Sequence, residues 1–328
     1  VKMELMYTST RNANEKVTAS QAILKGLAED GGLFVPEQLP TLDKTVDELA
    51  GMTYQETAYE VMKKFLTDFT EEELKNCINA AYDSKFDTEE IAPLVQADGA
   101  YYLELFHGST IAFKDMALQL LPQFISTSLK KLGDKDELVI LVATSGDTGK
   151  AALDGFKNVD QTKILVFYPQ EGVSKIQRLQ MLTQQGDNVS VFAVKGNFDD
   201  AQSGVKQIFS DSKYNEYLNE KGFKLSSANS INWGRLLPQI VYYFSAYADL
   251  VNDKKITMGN KVNFTVPTGN FGDILAGFYA KCMGLPVNRL ICASNSNNVL
   301  TDFLKTGTYD RNREFFKTIS PSMDILIS

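Results

Sequence analysis

LVILVATSGDTGK, residues 138–150, is a short apolar run that stops at a knot of small and hydroxyl residues and then continues into a helical pattern over 148–157. An apolar run of that length, closed by glycines and followed by a helix, reads as a strand buried on both faces and feeding a covering helix. The same unit recurs on either side. Strand patterns fall at 101–105, 138–143, 164–168, 189–194, 262–266 and 290–293, and helical patterns at 114–131, 148–157, 174–185, 199–209, 231–251 and 273–283. Strand, helix, strand in that order predicts an α/β fold with parallel sheets flanked by helices. The opening differs: EDGGLFVP at 29–36 is rich in turns, and helices are expected at 54–66 and 71–82. Thr70, followed by Glu71, Glu72 and Glu73, marks the start of the second of these as a capped N-terminus.

The chain of 328 residues is 44% hydrophobic and 23% charged, with a net charge of −8, an ordinary balance for a globular protein. The acidic balance argues against general nucleic-acid or anionic-membrane binding, which calls for a basic face. No apolar run approaches a membrane span, and the first thirty residues lack the apolar stretch of a signal peptide. Cys77, Cys282 and Cys292 fit no paired metal spacing and read as reduced thiols of a cytoplasmic protein. With His107 as the sole histidine, a His-rich metal site is excluded, and the sequence sets no oligomeric state.

Ligands of such sheets gather where strands end and helices begin. Four junctions carry unusual composition. In HGSTIAFKD, 107–115, a lysine at a helix start suits an amine that burial keeps partly neutral, as attack on an aldehyde requires; the plainer reading pairs Lys114 with Asp115 at the surface. In ATSGDTGK, 143–150, the P-loop register fails, because Thr144 stands where a glycine is needed and Ala151 follows Lys150. Its small residues still form a cradle for an anion, or merely a capped tight turn. PTGNFGD, 267–273, places Gly269 and Gly272 before a helix and reads as a phosphate cup, or as a structural turn. SSANSINWGR, 226–235, offers Arg235 as a bidentate grip for phosphate or carboxylate, or as a solvated cap residue.

Taken in order, HGSTIAFKD, TSGDTGKAA, NSINWGR and PTGNFGD resemble the SGDTG-type branch of the threonine synthase family, and YTSTRNANEKVTASQAILKGLAEDGGLFVPEQLP at 7–40 is similar to that branch's opening. The resemblance implies a fold-type II pyridoxal-phosphate (PLP) enzyme, like the tryptophan synthase β subunit. It implies an N-terminal mixed, helical domain at 1–95, a large PLP-binding α/β domain from 96–135 and 216–328, and a smaller substrate lobe at 136–215. Lys114 would carry the cofactor and act as the catalytic amine. Gly269, Asn270, Phe271 and Gly272 would cup its phosphate, with Asp273 at the end of that turn and Asp147 near the cofactor ring. Ser145, Gly146, Thr148 and Gly149 would line the substrate side, Asn229, Ser230 and Arg235 would meet the substrate phosphate, and Lys175 would add positive charge on the substrate side. Members of this branch are longer, so the resemblance also implies a piece of the enzyme, with the partner of the ring nitrogen beyond residue 328.

The implied reaction converts O-phospho-L-homoserine and water to L-threonine and phosphate, a β,γ-replacement for which PLP serves as electron sink. The alternatives are a lyase of the same fold releasing phosphate and 2-oxobutyrate, and a non-catalytic PLP-binding homologue.

Overall fold

The structure, a computed structural model, describes residues 4–326. At its centre lies the helix Trp233–Asn252, in which every residue from Trp233 to Ala248 is buried. A helix apolar on all sides must be surrounded, and this one is. The N-terminal helices pack on one flank and the helix Gly272–Cys282 on another. The N-terminal region pairs Tyr7–Ser9 with Lys16–Val17 and Phe34–Pro36 in a small antiparallel sheet. Its helices Ala19–Lys25, Tyr54–Met62 and Glu71–Ala81 each begin at a threonine capping box, Thr18 with Gln21, Thr53 with Glu56 and Thr70 with Glu73. The start expected at Thr70 is thus the one observed.

Two parallel sheets come next in the chain. The larger runs in the order Val189–Val194, Thr162–Pro169, Glu137–Ala143, Phe223–Ser227, and the smaller pairs Val262–Pro267 with Val287–Ala293. Five of the six expected strands therefore appear as parallel strands. The strand expected at 101–105 is Ala100–Leu103 and belongs instead to an exposed antiparallel hairpin with Leu94–Ala97. Asp98 and Gly99, both at positive φ, turn that hairpin, as an Asp-Gly pair does. Phe223–Ser227 escaped the sequence reading because FKLSS carries no apolar run; it lies beyond 215, where the smaller lobe was expected to close.

The helix expected at 114–131 is divided into Asp115–Leu118 and Leu121–Leu132. Pro122 has no N–H, and its ring crowds the carbonyl four residues earlier, so the first helix stops at Leu118. Ser212–Glu220, also unforeseen, buries no residue, and its apolar positions are limited to Tyr214, Tyr217 and Leu218. Among the described residues, no helix is long and apolar enough to cross a membrane.

Candidate active site

Register in the larger sheet sets the first part of the site. Leu141 pairs with Ser227 across parallel strands, so the turn after Ala143 and the turn after Ser227 emerge side by side. Asn229 joins them, donating from Nδ2 to the Ala143 carbonyl at 3.0 Å. The turn after Ala143 is wound around Thr144, whose Oγ1 accepts from the Gly146 and Gly149 amides at 2.9 and 2.8 Å. Gly146 sits at φ 140 with the Gln177 side chain where a Cβ would be, so only glycine fits. A Cβ at Gly149 would meet Thr144, Val166 and Met181. That gives Gly149 a packing reason where the sequence suggested a substrate contact. The hydroxyls of Ser145 and Thr148, at the head of the helix Asp147–Phe156, make no hydrogen bond among the described residues.

Lys114 precedes the helix Asp115–Leu118 and is 7% exposed. Its ammonium has no hydrogen-bond or salt-bridge partner among the described residues. Asp115, the partner of the plainer reading, is engaged elsewhere: its carboxylate accepts from Thr110 N at 2.8 Å and from Thr110 Oγ1 at 2.6 Å. Burial and the Arg235 charge push the Lys114 pKa down to about 8, against the pull of Asp147 and Asp273, with Lys150 adding to the depression. Residues from four separate junctions therefore share one electrostatic environment.

Arg235 is the second unusual cation. It is 1% exposed, donates from one terminal nitrogen to the Ala228 carbonyl, and leaves Nε without a partner. Burial lowers its pKa to about 10. No carboxylate lies within salt-bridge distance among the described residues. A buried guanidinium without a counter-ion is costly, and a bound anion would remove that cost.

Across from it, Asn270 donates to Ser230 Oγ at 2.9 Å, which ties the PTGNFGD turn to the end of the other turn. The backbone of Ser322 and Met323 passes so close to Gly269 that a Cβ there would lie 2.5 Å from Met323 Cα. The helix Gly272–Cys282 opens here with its amides directed back at the turn, a natural seat for phosphate. Phe271 is partly exposed beside it. Asp273, in the first helical turn, is buried; this raises its pKa to about 7 even though the Ile274 amide donates to it at 2.7 Å and Lys114 stands near.

Asp147 is held from two sides, by Gln177 Nε2 at 2.7 Å and Lys150 Nζ at 3.4 Å. Sequence reading missed both holders. Ser174 and Gln177 have capping-box spacing, which marks a helix start but not the second bond Gln177 makes. Lys175, the residue singled out in that segment, is exposed at the head of its helix and stands outside the buried group. A cleft of about 540 Å³ lies behind Thr110 and Lys150, and its Asp154 is already met by Ser109, Gln119 and Lys157.

The assembled site offers a partly neutral amine, an uncompensated guanidinium, a helix N-terminus and two carboxylates. Known proteins resemble the chain in sequence and in fold. A family model described as threonine synthase N terminus matches residues 6–82. The human protein named threonine synthase-like 1 is 44% identical over 98% of this chain, and the chain spans 46% of its length. The PLP-bound threonine synthase of Brucella melitensis superposes with a TM-score of 0.87 at 41% identity, over 99% of this chain and 68% of that one. The Escherichia coli threonine synthase gives a TM-score of 0.84 at 33% identity, over 98% of this chain and 71% of that one. The chain spans about half the length of the threonine synthase-like 1 proteins it matches. At these identities and coverages, the chain belongs to the threonine synthase family and has its fold-type II α/β architecture.

Proposed function

We propose that this chain binds PLP on Lys114 and takes part in converting O-phospho-L-homoserine and water to L-threonine and phosphate. The observation that carries this reading is the pair of buried cations, Lys114 and Arg235, that share one site with no carboxylate in salt-bridge contact with either among the described residues. A cofactor with an aldehyde and a phosphate, and a substrate with a carboxylate and a phosphate, supply what this site lacks. The residues present fit PLP: Lys114 for its aldehyde carbon, Gly269, Asn270, Phe271 and Gly272 for its phosphate, Asp273 behind that turn, and Asp147 toward its ring. When bound, PLP supplies the electron sink that lets a proton leave the substrate carbon.

The chain's own groups do the rest. With a pKa near 8, Lys114 is partly neutral at physiological pH and can accept and return a proton at the substrate's α- and β-carbons. Ser145, Gly146 and Thr148, at the head of the helix Asp147–Phe156, suit the substrate carboxylate. Asn229, Ser230 and Arg235 suit its phosphate, and exposed Lys175 adds charge from the rim. Gln177 and Lys150 keep Asp147 in one orientation. The free thiols of Cys77, Cys282 and Cys292 support a reducing compartment, the cytoplasm.

The test tracks phosphate and carbon products together on O-phospho-L-homoserine with PLP. Equal phosphate and threonine support the proposal. Phosphate with 2-oxobutyrate would move the chain to the lyases, and PLP uptake without turnover would make it a binding homologue.

A further inference from the structure

His107, the sole histidine, stands between two carboxylates. Its Nδ1 lies against Asp87 Oδ1, in the loop at 83–93, and its Nε2 is 2.9 Å from Glu104 Oε2. An ionised carboxylate accepts but cannot donate, so both ring nitrogens must carry a proton for both contacts to be favourable. A neutral ring would turn a lone pair toward one of the two acids. The imidazole side chain is only 15% exposed, and the Phe106 ring stacks on it at 4.6 Å. Burial lowers the ring's pKa, but the ionisable groups facing it, Glu104 and Asp87, together outweigh that and raise it above the ordinary 6.5. The Asp87 amide also donates to the His107 carbonyl at 3.0 Å, so the loop at 83–93 meets this residue through backbone and side chain alike.

The turn that delivers Lys114 begins directly after His107. Gly108 packs so closely on Asp115 that a Cβ would lie 2.6 Å from the Asp115 Cβ. Lys150 donates to the Thr110 carbonyl at 3.1 Å. Ile111, a β-branched residue, is held at φ 59 with its side chain largely in solvent. Such a conformation persists only when the surroundings impose it. The other ties, at Asp115, Lys150 and Asp154, lie after Gly108 or beyond the turn; His107 is the anchor at its entry.

We propose that His107, as an imidazolium clamped by Asp87 and Glu104, is a positioning residue that fixes the turn carrying Lys114 to the N-terminal region, and that its deprotonation loosens that turn. The role assigned to Lys114 rests on the functional reading above, whereas the clamp itself does not. The native ring binds its proton more tightly than the unfolded one. The clamp is therefore complete below the ordinary imidazole range and is lost as pH rises through the raised native value. A rise in pH adds neutral fraction to Lys114 and weakens the clamp, so the two oppose each other.

The experiment titrates the His107 ring by NMR, assigned with H107Q, and monitors hydrogen exchange of the peptide spanning 106–116, with the helix Trp233–Asn252 as internal reference. The expected ring pKa lies above 6.5 and falls in E104Q. Exchange of 106–116 relative to the reference should rise severalfold as the ring deprotonates, and should be fast and independent of ring charge in E104Q. D87N, at an exposed acid, should show the same direction with a smaller effect and guards against a misfolded E104Q. A ring that titrates at the unperturbed value, or exchange that ignores its charge, overturns the proposal. PLP attachment to Lys114 is measured separately: its absence beside an intact clamp would strike the functional reading alone, and its presence beside a missing clamp would strike this proposal alone.

Discussion

Lys114 illustrates how a single side chain comes to carry chemistry. Its neighbour Asp115 is consumed by Thr110, so the lysine is left buried with cations near it and two acids at a remove. The resulting pKa of about 8 predicts that PLP attachment accelerates with pH and levels off above about 8, as read from the pH dependence of the association rate. Asp273 raises the Lys114 pKa, so Asp273→Asn should lower it further and move that profile to lower pH. A profile unmoved by the substitution would remove Asp273 from the electrostatics of the site. Arg235 belongs to the same scale: Arg235→Gln should weaken binding of the phosphorylated substrate more than that of PLP, as a rise in KM.

At the scale of elements, the site depends on turns wound by particular residues. Thr144→Val would leave the Gly146 and Gly149 amides without their acceptor, at a cost of about 1–3 kcal/mol in urea unfolding. Gly149→Ala would press a methyl against Thr144, Val166 and Met181 and cost a similar ~1–3 kcal/mol. Thr70→Ala, far from the site, should cost about 1 kcal/mol and leave PLP binding unchanged. The α/β alternation was legible because the inner strands Glu137–Ala143 and Thr162–Pro169, largely covered on both faces, are continuous apolar runs, while Val189–Val194, Val262–Pro267 and Val287–Ala293, open on one side, are still rich in β-branched residues. Phe223–Ser227 was not, since FKLSS carries no apolar run and gains its place by pairing with Glu137–Leu141. Lys114, the SGDTG turn, Arg235 and the GNFG turn each kept a plain structural reading from residue type alone, and their order along the chain, through the family resemblance, is what singled them out. The contacts of Gln177 and Lys150 were not legible, because they cross the fold: Gln177 reaches Asp147 thirty residues away and Lys150 reaches the Thr110 carbonyl forty residues away.

For the whole molecule, buried acids set the response to pH. Burial raises Asp273 to about 7, and burial with Asp253 and Glu90 nearby raises Asp249 to about 6. A carboxyl whose native pKa exceeds its unfolded one binds a proton in the native state first. Stability therefore falls as pH rises from the ordinary carboxylate range through those raised values. Asp249→Asn, in the helix Trp233–Asn252 and away from the cluster around Lys114, should flatten the lower part of that slope and raise the urea midpoint at neutral pH. An unchanged slope would show that Asp249 is solvated in solution.

Lys114 stands at the centre of the functional reading, as the buried amine that an aldehyde cofactor finds. The direct measurement incubates the chain with PLP, reduces with borohydride and maps the modified peptide by mass spectrometry. A single pyridoxyl-phosphate adduct on the peptide containing Lys114, absent in Lys114→Ala, is the predicted result. An adduct on another lysine, or one that survives Lys114→Ala, would contradict it.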